Sequence, residues 1–349
     1  MDASRQVDPV VAPVLARIGL TWSSDLEPGI RRRRAGRGWS YRHDAAGRIT
    51  DPGEIARIRS LAIPPAWTDV WICPDPDGHL QATGRDARGR KQYRYHPDWR
   101  EDRERTKFES LADFGPGLDA LRARLDEDLR RPGMPPERVV ALVLSLMDRT
   151  LIRVGNDEYR RTNGTYGLTT LCRQHVTIEG TRLRFRFKGK GGARHDIRLS
   201  DRRLAALVRR CHELGGREVF TYEMDGRLVR VDSDDCNAYL RESFDGDTTV
   251  KTFRTWGASA IVTGHLAQLD PPAADESGAA ATSRFLEAID VAAQRLGNTR
   301  TVARRSYVHP MVESAWGDGE LHEVWRAARR RTRLDRAEVA LSRLLTSGR

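Results

Sequence analysis

Residues 182–188 constrain this chain more than any other stretch. Leu183, Phe185 and Phe187 alternate with Arg182, Arg184, Arg186 and Lys188. A period of two sends successive side chains to opposite faces of a strand, so one face is apolar and buried while the other is strongly basic. Gly189-Lys190-Gly191-Gly192 follows at once, and a glycine cluster in such a setting marks a turn. The region from about His175 to Arg198 therefore reads as a half-buried β ribbon carrying a lysine at its tip.

That lysine is unusual here. Of 60 lysine and arginine residues, only Lys91, Lys107, Lys188, Lys190 and Lys251 are lysine. Arginine, with a pKa above about 12, keeps its proton, whereas a lysine can release one when its surroundings favour it. Taken alone, Lys190 is compatible both with a solvated turn and with a residue reaching into a site. The arginine bias fits a GC-rich, bacterial genome.

The net charge is +11 and the pI about 9.9. Such an excess calls for a polyanionic partner, and nucleic acid fits best. No long basic helix with an aromatic face argues for a membrane surface. No apolar run approaches the roughly 18 residues of a membrane span. Val10 to Leu20 carries Pro13 and Arg17 and is flanked by Asp2 and Asp8, which makes a poor signal peptide, so a cytoplasmic protein is expected. Cys73, Cys172, Cys211 and Cys236 lie far apart without a CxxC pair and read as buried free thiols. His212-Glu213 does not extend to HExxH, because Gly216 stands where the second histidine belongs. No metal site is read, and no cofactor. Gly189–Gly192 lacks the upstream glycine and the following Ser/Thr of a phosphate-binding loop.

Two domains fit the length of 349 residues. Residues 1–98 show short strand-like runs, Trp39–Arg42, Val70–Cys73 and Leu80–Thr83, between proline and glycine turns. They read as a small β-rich domain. Arg31–Arg34 reads as a solvated charge run or a phosphate-facing arm. Residues 99–349 are mainly helical. Leu118, Leu121, Leu125 and Leu129 repeat at helical spacing, and Glu137 to about Arg153 is apolar nearly all round, a buried helix. Further helices are expected at about 201–214, 234–243, 253–266 and 282–296, with a flexible loop at 270–278 and a basic helix at the C-terminus. The fold class expected is α+β.

Four clusters share one chemistry: Arg153–Tyr159, the Lys190 turn, Lys251-Thr252-Phe253-Arg254-Thr255-Trp256, and Asn298 followed by Arg304-Arg305-Ser306-Tyr307-Val308-His309-Pro310. Tyrosine can act as a covalent nucleophile, and a cationic site helps its phenol ionise from an ordinary pKa of about 10. Attack on a phosphodiester builds charge on the non-bridging oxygens, which two arginines can bind with charge-assisted bonds. Fixed protein cations can then play the part that metals play in other phosphoryl-transfer sites.

Arg153 with Tyr159, Gly189-Lys190, the 251–256 box, Ser306-Tyr307 and the strand Lys91-Gln92-Tyr93-Arg94-Tyr95 together resemble the type IB DNA topoisomerases, in their compact poxvirus-like and bacterial form. The resemblance runs through most of the chain. It implies a monomer clamped around double-stranded DNA at the nucleoid, relaxing supercoils without ATP or metal through a 3′-phosphotyrosine. It implies Tyr307 as nucleophile, Arg153, Arg254 and Asn298 at the phosphate, and Lys190 as the acid for the leaving 5′ oxygen. It further implies DNA contacts from Gln92, Tyr93, Tyr95, Tyr159 and Lys251, where Lys251 could bind phosphate or assist proton transfer. Two positions depart from the pattern. Poxviral and eukaryotic relatives carry histidine where Asn298 stands, and an amide can donate a hydrogen bond but not supply an acid's proton. Gly191 replaces a common aspartate. The alternatives are a tyrosine recombinase, whose usual His-x-x-Arg box would need histidine at Lys251, and a basic protein that only binds nucleic acid.

Overall fold

In a computed structural model, residues 11–244, 248–273 and 275–347 are described. The chain packs as two units, Met1–Thr106 and Lys107–Arg349. The α+β architecture read from the sequence is present in both.

The smaller unit is built on a six-stranded antiparallel sheet. Its strands are β1 (Ile30–Ala35), β2 (Gly38–His43), β3 (Gly47–Arg48), β4 (Thr68–Ile72), β5 (Leu80–Arg85) and β6 (Lys91–Tyr95), in the order β3-β2-β1-β4-β5-β6. Helices α1 (Ala12–Ile18) and α2 (Pro52–Ser60) belong to this unit. Alternation assigns the faces. Ile30, Tyr41, Val70, Ile72 and Ala82 pack with Ile58 of α2. The other face is set by register, Arg42 opposite Arg31, Arg31 opposite Trp71, Trp71 opposite Thr83 and Thr83 opposite Tyr93. Arg32 does not lie in the solvent. Its guanidinium donates to the carbonyls of Ile63, Pro64 and Trp67 and sits 4.0 Å over the Trp39 ring.

Helix α3 (Pro97–Glu109) leads into the larger unit. There α4 (Leu111–Asp128), α5 (Pro136–Thr150), α7 (Arg202–Leu214), α8 (Ser233–Arg241), α9 (Thr252–Leu266), α10 (Gly278–Leu296), α11 (Arg300–Tyr307), α12 (Pro310–Gly317), α13 (Glu320–Ala327) and α14 (Arg336–Ser347) share one core, while the short α6 (Asp157–Asn163) adds no buried residue to it. Beside them stand a three-stranded ribbon, β7 (Val176–Glu179), β8 (Arg182–Lys188) and β9 (Arg194–Ser200), and a hairpin, β10 (Thr221–Met224) and β11 (Arg227–Arg230). Helix α4 begins well before Leu118 and runs through Gly115-Pro116-Gly117. These glycines serve packing: a methyl on Gly115 would stand 2.5 Å from the Trp256 ring, and one on Gly117 2.5 Å from Phe244. Helix α5 is buried nearly all round, as its composition requires, and starts on a proline at its first turn. It ends at Thr150, so Arg153 lies beyond the helix and not on its last turn. Of the loop expected at 270–278, Ala274 lies outside the described residues.

Candidate active site

Each of the five residues expected to work on phosphate sits at an element's end or on a turn. Leu151 takes a left-handed conformation (φ 57°) and turns the chain out of α5. The strand-like stretch that follows is held by bonds from the Leu168 and Thr169 amides to the Arg153 and Val154 carbonyls, at 2.9 and 2.7 Å. Gly167 permits this contact, since a methyl there would meet the Arg153 carbonyl oxygen at 2.5 Å. Arg254 lies in the first turn of α9. Asn298 sits between Gly297, which ends α10 in a left-handed conformation, and Thr299, whose side chain caps α11 by accepting from the Val302 amide. Tyr307 is the last residue of α11.

These joints bring the groups together. Arg153 donates through Nη2 to Asn298 Oδ1 at 2.7 Å. Arg254 is buried, with a relative exposure of 4 %, and its two terminal nitrogens donate to the carbonyls of Leu151 and Leu296. Its guanidinium carbon lies 5.0 Å from the centre of the Tyr307 ring. Lys190 lines one narrow cleft with Arg153, Arg254, His195, Phe187 and Leu151. The backbone around Tyr307 is pinned from three sides. Ser259 Oγ, one and a half turns along α9 from Arg254, donates to the Tyr307 carbonyl at 3.2 Å and accepts from the His309 amide at 2.9 Å. Lys107 Nζ donates to the Ser306 carbonyl at 3.1 Å.

Electrostatics follow from this crowding. Burial raises the Tyr307 phenol, but the charges of Arg254 and then Arg153 outweigh it, and its pKa falls below the usual tyrosine range. Burial and the like charge of Arg153 push Arg254 down to about 10, against the pull of Tyr307. Two buried donors, Arg254 Nε and Asn298 Nδ2, have no acceptor among the described residues. Because Arg153 donates to Oδ1, the amide nitrogen of Asn298 is the free end. Buried donors are rarely left unpaired, so this is a site that expects an acceptor from outside.

The other residues singled out are distributed as follows. Tyr93 and Tyr95 are exposed on β6 with rings 6.0 Å apart and nearly parallel. Gln92 alternates to the opposite face, where its amide donates to Asp86 Oδ2 at 3.1 Å. Tyr159 is exposed on α6, whose first turn is capped by Asn156. Lys251 is exposed at the N-terminus of α9. Sequence reasoning passed over His195, Ser259 and Lys107. His195 stands opposite Phe187 in the β8–β9 ladder, and a histidine two residues before Ile197 on an apolar face was the signal available.

The fold and this cluster define a protein that handles phosphodiesters of nucleic acid, and comparison makes the class specific. Residues 96–316 match the family model described as eukaryotic DNA topoisomerase I, catalytic core, and residues 38–86 match bacterial DNA topoisomerase IB, N-terminal domain. DNA topoisomerase 1B of Acanthamoeba polyphaga mimivirus is 31 % identical over 288 residues, covering 81 % of this chain and 86 % of that protein. The chain belongs to the type IB DNA topoisomerases. Among the described residues, no helix is long and apolar enough to cross a membrane.

Proposed function

We propose that this topoisomerase cuts and reseals one strand of duplex DNA through a bond between phosphorus and the Tyr307 phenolic oxygen, without ATP. The observation that carries this reading is the placement of that phenol against two guanidinium groups, beside two buried donors that lack acceptors. Arg254 and Arg153 stabilise the phenolate, whose proton passes to solvent. The phenolate attacks phosphorus as the bond from phosphorus to the 5′ oxygen breaks. Arg254 Nε, Asn298 Nδ2 and the Arg153 guanidinium hold the non-bridging oxygens, where charge builds. Lys190 gives its proton to the departing 5′ oxygen, which leaves as a hydroxyl. The product is a 3′-phosphotyrosyl ester. One phosphoester has replaced another, so the 5′ hydroxyl can attack in reverse and restore the strand with no outside energy source. Lys251 contacts phosphate at the start of α9, where the helix dipole also favours an anion. Tyr93, Tyr95 and Tyr159 meet DNA with exposed rings. The protein acts as a monomer in the cytoplasm, on the nucleoid of a bacterium, in keeping with the bacterial match of its N-terminal segment.

Incubation with supercoiled plasmid in a chelating buffer without nucleotide tests the reading. Stepwise relaxation is expected, together with a covalent protein–DNA adduct that denaturant traps and peptide mapping assigns to Tyr307. Tyr307→Phe is expected to lose both. Relaxation by Tyr307→Phe, or an adduct on another residue, refutes the assignment.

A further inference from the structure

The acid-bearing turn is chemically bare. Gly191 and Gly192 have φ of 77° and 86°, and the turn is closed by backbone bonds from the Gly189 amide to the Ala193 carbonyl and from the Gly192 amide to the Gly189 carbonyl. Three glycines around one lysine give the backbone wide freedom. Yet the proton must reach a particular oxygen. His195 is the side chain that stands nearest to Gly189 in this turn. Its ring stacks on Phe187 with centroids 4.9 Å apart. A methyl built on Gly189 would stand 2.5 Å from His195 Nε2, and one built on Gly297 2.3 Å from Cε1. The imidazole is therefore wedged between the residue before Lys190 and the residue before Asn298.

The two sides of the wedge are not equally firm. The Gly297 side is fixed by the Asn298 amide on the Ala293 carbonyl at 2.9 Å, by Arg153 on Asn298 Oδ1 and by the Thr299 cap. The Lys190 side is the glycine turn. Burial first, then the charges of Arg153 and Arg254, lower the pKa of His195, so the ring stays neutral and does not repel the cations beside it. We propose that His195 is a positioning residue: braced against the Gly297 joint and Phe187, it sets where the Lys190 turn stands relative to the phosphate. This rests on the acid role given to Lys190 above, and the test separates the two.

The test compares single-turnover cleavage of a duplex with an ordinary 5′ oxygen at the scissile phosphate and of one with sulfur there. A thiolate leaves without a proton, so sulfur bypasses the acid. His195→Ala is expected to slow the oxygen substrate by about tenfold or more, part of the 10²–10⁴ that a general acid contributes. On the sulfur substrate it is expected to run within about threefold of the unaltered enzyme, and DNA affinity should stay the same. Gly189→Ala, which pushes the ring from the turn side, should show the same split and stands in if His195→Ala folds poorly. Lys190→Ala is the control, rescued by sulfur, and adding His195→Ala to it should cost nothing more. Equal slowing of both substrates by His195→Ala and Gly189→Ala, or a multiplicative loss in the double variant, overturns the positioning role while leaving Lys190 as the acid. Failure of sulfur to rescue Lys190→Ala overturns the acid role and this inference with it.

Discussion

In the proposed mechanism, Asn298 is a side chain that cannot donate an acid's proton and still serves phosphoryl transfer. Its carbonyl end accepts from Arg153, and its amide nitrogen is a buried donor with no partner among the described residues. On the proposed reading the residue does two things at once: it orients a guanidinium and presents a hydrogen to an incoming oxygen. A neutral imidazole has the same pair of functions, one nitrogen accepting and the other donating. Asn298→His is therefore expected to keep cleavage and religation within about tenfold of the unaltered enzyme, since removing one such donor altogether costs 10²–10³. Asn298→Leu, which has neither function, should fall by the larger factor. Single-turnover cleavage rates check this, and a loss in Asn298→His as deep as in Tyr307→Phe would refute the dual role. Arg254 illustrates the complementary case. Two of its five N–H groups are spent on the Leu151 and Leu296 carbonyls, which hold its charge in place, and Nε has no acceptor among the described residues.

At the scale of elements, the placement of Tyr307 depends on the joint between α11 and α12. Tyr307 ends α11, Val308 is extended, and His309 caps α12 by accepting from the Met311 amide through Nδ1 at 3.1 Å. Its ring also meets Phe108 edge-on at 5.2 Å. Burial, then the nearby Lys107 charge, push this imidazole down to about 4, against a backbone bond at Phe108. The sign follows from proton linkage. Between pH 4 and the ordinary histidine value of about 6.5 the unfolded chain binds a proton that the native state excludes, so stability falls as pH falls through that window. With allowance for partial exposure the effect is roughly 2 kcal/mol. Asparagine is a good cap that does not titrate. His309→Asn should lose less stability than the unaltered chain between pH 7 and pH 4, measured by urea midpoints at both, and equal losses would refute the account. Elements of this kind were only partly legible. The β8 ribbon announced itself by strict alternation, and the buried α5 by composition. The exit from α5 was not legible, because a left-handed Leu151 contradicts local propensity and is imposed by the packing that carries Arg153 to Asn298. Gln92 was grouped with its neighbours in sequence, whereas the pleat separates it from Tyr93 and Tyr95.

Across the larger unit, contacts far apart in sequence hold the arginine helix in place, and they leave almost no local trace. Arg122 of α4 forks onto Asp148 of α5 with two bonds of 2.8 Å and onto Glu338 of α14 at 2.7 and 2.8 Å. Glu338 in turn accepts from Trp256 Nε1 at 3.2 Å, and Trp256 lies two residues after Arg254. Four helices thus meet at one charged knot behind the site. Glu338 is 7 % exposed and the side chains of Arg122 and Asp148 are 19 % and 10 % exposed, so the knot is largely, though not wholly, shielded from bulk water. Nothing in the spacing of Arg122, Asp148 and Glu338 links them, which is why only their fold reveals the group. Removing one member of such a knot strands the others: Arg122→Met leaves two carboxylates buried without their cation and is expected to cost about 3–5 kcal/mol. For a domain of this size that lowers the melting temperature by roughly 10 °C. Replacing Arg122, Asp148 and Glu338 together by apolar residues of similar volume removes the stranded charge, and much of the loss should return. Relaxation rates of both variants at low temperature should stay near normal, because none of the three side chains lines the cleft that holds Arg153, Lys190 and Arg254. Denaturant midpoints for the single and triple variants decide the matter: a single variant costing under about 1 kcal/mol, or a triple variant weaker than the single, would show that apolar packing and not this knot ties α14 to the catalytic helices.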